Sequence, residues 1–97
     1  MTVGLRLDTN RVGTNRARVT LQDLQGRMDS GAKRVTLYVR SLDMDMGLET
    51  IQAQPSPEGE YGAEVVLSMA GRWQVSVEVT PSHGDTFVTE FQVSPTL

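Results

Sequence analysis

Apolar residues alternate with polar ones along most of this chain, and the spacing is two rather than three or four. Val3, Leu5 and Leu7 alternate with Gly4, Arg6 and Asp8, which predicts a strand with one buried face. Residues 9–15, Thr9-Asn10-Arg11-Val12-Gly13-Thr14-Asn15, read as a turn, because asparagine and glycine suit chain reversal. A second strand follows with Ala17, Val19 and Leu21 inward and Arg16, Arg18 and Thr20 outward, ended by Asp23-Leu24-Gln25-Gly26. Met28 to Lys33 forms a link. Val35, Leu37 and Val39 then mark a central strand.

Beyond Val39 the parity changes. Leu42, Met44, Met46 and Leu48 are even-numbered where the preceding apolar residues are odd-numbered, so a bulge or break is expected near Arg40-Ser41-Leu42. Glu49 to Gln54 reads as another short strand. Pro55-Ser56-Pro57-Glu58-Gly59-Glu60 reads as a loop, since prolines cannot donate to a central ladder. Tyr61, Ala63, Val65, Leu67 and Met69 alternate cleanly. After the tight connection at Ala70-Gly71, so do Trp73, Val75, Val77 and Val79. Residues 81–85 form a hairpin tip, and Phe87, Thr89, Phe91 and Val93 make the last strand. With about seven strands, frequent turn signals and no helical period, the pattern is that of an all-β antiparallel sandwich.

At 97 residues the chain is expected to be a single domain, residues 1–97, with one modest core. No apolar run is long enough to span a membrane, so direct membrane insertion is not expected, and Thr2 to Arg6 lacks the pattern of an export signal. The absence of cysteine excludes thiol catalysis, disulfides and thiolate metal sites. A single histidine, His83, excludes a multi-histidine zinc or copper centre within one chain. The first 40 positions hold eight bases and three acids, a net of +5; the remainder holds one base and nine acids, a net of −8. The overall charge of −3, and arginines interleaved with strand residues, argue against a nucleic-acid partner. Solvated outer strand faces account for them.

The stretch with chemical potential is Leu42-Asp43-Met44-Asp45-Met46-Gly47, with Met69-Ala70-Gly71-Arg72-Trp73 as companion. If Met44 and Met46 lie on a strand, they share a face about 7 Å apart and two thioethers can converge on one ion. Thioether sulfur is soft and neutral and selects Cu(I) over zinc or the hard cations. Met69 can add a third sulfur and Trp73 a ring over the cation. The opposing reading is that methionine fills cores, and that Leu42, Met44, Met46 and Leu48 continue a buried face. Asp43 and Asp45 are then expected to point to water, and their spacing to Gly47 does not fit a calcium loop. His83 is expected on an exposed turn, a strand of about 25 Å away from the methionines. Ser82-His83-Gly84-Asp85 is too compact for a catalytic triad, and no phosphate loop precedes a helix, so the chain is not expected to be an enzyme.

Val12-Gly13-x-Asn15, Leu42 to Gly47, the strand-opening Tyr61 and Leu67-Ser68-Met69-Ala70-Gly71-Arg72-Trp73-Gln74-Val75 together resemble the YtkA-like domain family. The resemblance spans residues 5–93. It implies an immunoglobulin-like sandwich with an extracytoplasmic location, on the outer side of a bacterial membrane. It also implies association with copper resistance and copper transport. The implied partner is a membrane-embedded copper transporter of the CopD type or a copper carrier protein, in the same polypeptide or another. Met44, Met46 and Met69 match the family's methionine positions, and Gly47, Gly71 and Trp73 its structural ones. The histidine-rich motifs of CopC-type carriers are missing, which argues against tight Cu(II) binding. Two functional expectations follow. One is a domain binding Cu(I) weakly through Met44, Met46 and Met69. The other is a metal-free structural or protein-interaction module.

Overall fold

The computed structural model describes residues 1–27 and 31–97, so Met28 to Ser30 of the expected link lie outside the described residues. Among the described residues the alternating segments form eight strands. They are β1 (Thr2–Leu7), β2 (Gly13–Gln22), β3 (Arg34–Ser41), β4 (Glu49–Gln52), β5 (Gln54–Pro55), β6 (Tyr61–Leu67), β7 (Trp73–Thr80) and β8 (Phe87–Val93). One sheet has the order β1-β2-β6-β5 and the other β4-β3-β7-β8, with every pairing antiparallel. This distribution is that of an immunoglobulin-like β-sandwich, in which the chain crosses between sheets instead of closing a single one. No helix among the described residues is long and apolar enough to cross a membrane.

Alternation works because each sheet buries only one face. Ala17, Val19 and Leu21 from β2 and Ala63, Val65 and Leu67 from β6 meet Val35, Leu37 and Val39 from β3 and Val75, Val77 and Val79 from β7, all buried. The outer strands contribute half-buried residues: Val3, Leu5 and Leu7 on β1, and Phe87, Phe91 and Val93 on β8. Trp73, buried at the start of β7 between Ser41 and Val93, closes one end of this core, as expected for a tryptophan joining two sheets. Tyr61 closes the other end, and its hydroxyl accepts a hydrogen bond from the Ala32 amide at 3.0 Å.

Three expectations are corrected. Glu49 to Gln54 is not one strand. Gln52 pairs with Thr36 in one sheet and Gln54 with Gly62 in the other, so the chain changes sheets at buried Ala53, whose amide donates to the Val35 carbonyl at 2.9 Å. Pro55 belongs to the edge strand β5 rather than to the loop, a position that tolerates proline because one side of the strand has no ladder to satisfy. The turn expected over residues 9–15 is shorter, since β2 begins at Gly13. Asn15, only 1% exposed, donates from Nδ2 to the carbonyls of Arg11 and Gly13 and accepts from the Thr9 hydroxyl at 2.8 Å. It works as an internal strap for the turn.

The register places the β1–β2 turn, the β3–β4 connection at residues 42–48, the β6–β7 turn at residues 68–72 and the C-terminal segment at one end of the sandwich. The β5–β6 loop and the β7–β8 tip lie at the other.

Candidate functional site

The break expected near Ser41 is real, and it ends β3 rather than bulging it. The Ser41 hydroxyl accepts from the amides of Asp43 and Met44 at 3.2 and 3.1 Å, bending the chain out of the ladder. The Leu42 amide donates to the Arg72 carbonyl at 2.8 Å, which ties this bend to the β6–β7 turn. Residues 42–48 are therefore a loop, and the expectation that Met44 and Met46 share a strand face is overturned.

The opposing expectation, that these residues continue a buried face, is overturned as well. Met44 is 54% exposed, Met46 49% and Leu48 59%. With no facing sheet over the loop, its apolar side chains have nothing to pack beneath. Met44 and Met46 line one open concavity of about 510 Å³, formed by residues 40–48. Met46 also lines a second, of about 430 Å³, together with Leu48, Val66 and Trp73. Met69 lines neither of these and is half-buried against the core. Its carbonyl accepts from the Trp73 indole Nε1 at 2.9 Å, so the tryptophan holds the β6–β7 turn through the Met69 backbone. Loop and turn thus meet at one end of the domain. Met44 and Met46 share a surface, and Met69 stands apart from it.

Asp43 is exposed, as expected, but it is also tied to the neighbouring turn. Its carboxylate accepts from the Arg72 amide at 2.6 Å and from Arg72 Nε and Nη2 at 2.9 and 2.7 Å. The bond from the Arg72 amide, then those from its guanidinium, hold the Asp43 carboxyl below the usual aspartate range. Gly71 makes this approach possible. Its φ is +120°, and a Cβ there would stand 2.6 Å from Asp43 Oδ2. Sequence reasoning missed this clamp, although a signal was present: Arg72 is the sole base after Arg40, in an otherwise acidic half.

The chemistry open to this end is limited and specific. Thioethers are soft neutral donors, and two of them are accessible here. Among the described residues no group of three or more histidine, cysteine, aspartate or glutamate side chains is placed to hold a metal. His83 lies exposed in the β7–β8 tip at the opposite end, as the strand length implied. A model of the YtkA-like family matches residues 2–78, and that span contains the loop, the turn and the three candidate methionines Met44, Met46 and Met69. No curated protein and no solved structure matches the chain.

Proposed function

The chain belongs to the YtkA-like family, and from that premise we propose that it is an extracytoplasmic, copper-associated domain that binds Cu(I) weakly through methionine. The partner it serves is a membrane-embedded copper transport or resistance protein or a copper carrier. The observation carrying this reading is the exposure of Met44 and Met46 on one open loop, where a core would have hidden them. Two neutral sulfurs on an open surface make a site that takes a soft monovalent ion and gives it up readily. Met69 joins only if the β6–β7 turn moves, because it packs against the core.

A second reading has its own support. Met44, Met46, Leu48 and Val66 form a group of exposed apolar residues, two of them not methionine, and such a group suits docking of a protein partner without any metal.

One variant separates the two. Replacing Met44, Met46 and Met69 by leucine keeps volume and apolar area but removes the three candidate thioethers, leaving only those of Met1 and Met28, with a small cost in stability. Anaerobic titration with Cu(I) or Ag(I), followed through the methionine methyl signals, is expected to give saturable shifts at Met44 and Met46 in the parent. The leucine variant is expected to show no binding. Equal affinity in the two proteins refutes the thioether site, and the absence of binding in both leaves the docking reading.

A further inference from the structure

Three arginines stand on the outer face of the β1-β2-β6-β5 sheet, whereas the methionine loop joins two strands of the other sheet. Ala17 and Val19 are buried, so Arg16 and Arg18, which alternate with them, face outward. Arg6 on β1 lies directly opposite Arg18. Like charges opposed across antiparallel strands destabilise the pairing, and this pairing has little to offset it. Arg6 reaches Glu60 only at 3.9 Å. Among the described residues neither Arg16 nor Arg18 has a side-chain hydrogen bond or ion-pair partner.

Arg16 also turns away from the carboxylate nearest in register. Glu64 is its cross-strand partner, yet the Arg16 guanidinium lies over Gly62, the residue opposite Arg18. A Cβ at Gly62 would come within 2.6 Å of Arg16 Nη2 and 3.1 Å of Cζ, so glycine is what lets the guanidinium settle beside Arg18. Ser56, whose hydroxyl is buried without a hydrogen-bond partner, lines the same concavity, of about 420 Å³, as the three arginines. Glu58 and Glu60 also line it, leaving three guanidiniums against two carboxylates.

We infer that this concavity binds a phosphate-bearing anion. A guanidinium presents a planar fork that matches phosphate and carboxylate oxygens in pairs. A carboxylate has two oxygens and is satisfied by one fork. A phosphate group has enough acceptors for several forks, and its negative charge offsets the Arg6–Arg18 opposition. The bound group is either free phosphate or the headgroup phosphate of an anionic lipid. This site is separate from the methionine loop and does not depend on the copper reading, since the two concavities share no lining residue.

The test uses the whole chain at low ionic strength. Inorganic phosphate is titrated while the arginine Nε–H signals and the amides of Ser56 and Gly62 are followed by NMR. Sedimentation with phosphatidylglycerol vesicles, against phosphatidylcholine vesicles, forms the second arm. Saturable shifts at Arg6, Arg16 and Arg18 are expected. Arg16→Lys keeps the charge but loses the fork and should weaken binding roughly tenfold, while Arg16→Gln with Arg18→Gln should abolish it with the fold retained. Binding of phosphate alone identifies a free anion, and sedimentation that added phosphate reverses identifies a lipid headgroup. No saturable shift and no sedimentation, or binding unchanged in the double glutamine variant, overturns the inference.

Discussion

Gly71 is the residue on which the geometry of the candidate site can be tested most sharply. Two separate costs attend Gly71→Ala. The first is conformational: φ of +120° lies in a region that L side chains rarely adopt, at a cost of about 2 kcal/mol. For a domain of this size that corresponds to a fall in Tm of roughly 8–16 °C. The second is steric, because the new Cβ would stand 2.6 Å from Asp43 Oδ2 and displace the carboxylate from Arg72.

Gly13 supplies the control. Its φ is +121°, almost the same, but a Cβ there meets nothing within 4 Å. Gly13→Ala should therefore show the conformational cost alone, and Gly71→Ala should melt several degrees lower. In an Asp43→Ala background the obstructing carboxylate is gone, and Gly71→Ala should then cost no more than Gly13→Ala. Circular-dichroism melts give the ranking, and urea unfolding of the four members of the Gly71–Asp43 cycle gives the coupling. Equal destabilisation by the two glycine substitutions, together with an additive cycle, would refute the proposed contact between the turn and the loop.

Asp43 also predicts a pH dependence. Its folded pKa is depressed, so its contribution is fully present above the ordinary aspartate value and is lost as pH falls through the lower, folded value; the Tm gap between the parent and Asp43→Asn should close over that acidic range and stay constant from pH 5 to 8. Asn15→Ala leaves the Arg11 carbonyl and Thr9 hydroxyl without their partner and should cost about 2–3 kcal/mol in urea unfolding. Asn15→Asp should cost more, because it faces two carbonyl oxygens with a third acceptor. Trp73→Phe removes the indole donor to the Met69 carbonyl and some buried volume, and should cost about 2 kcal/mol and raise amide exchange in the β6–β7 turn.

The sheets were legible because burial on one face imposes a period of two wherever a strand has a core beneath it. Thus β2, β3, β6 and β7 were read with their inward residues, and the parity change at Arg40 to Leu42 marked a true break. The same rule misled beyond that break. Alternation of Leu42, Met44, Met46 and Leu48 looks like a strand, but a residue pattern does not say whether a sheet is there to be covered. The pairing of Asp43 escaped the sequence for a related reason. Its partner lies 29 residues away, and only the pairing of β3 with β7 brings Arg72 beside it. The switch at Ala53 left no mark in the pattern, because an alanine buried between two sheets reads the same as one inside a single strand.

The groups that hold the loop and the groups that it exposes are different atoms, and this separation bears on function. Ser41, the Leu42 amide, Asp43 and Arg72 fix its start, and β4 fixes its end. Neither the Met44 nor the Met46 side chain takes part in those bonds. In the Cu(I) site proposed above, ligand exchange at their sulfurs would leave the anchor intact, whereas a buried thioether site would require the core to open for each exchange. For that proposed site, an anchored loop with unengaged thioethers suits transient loading and release better than storage, the soft sulfurs supplying the selection.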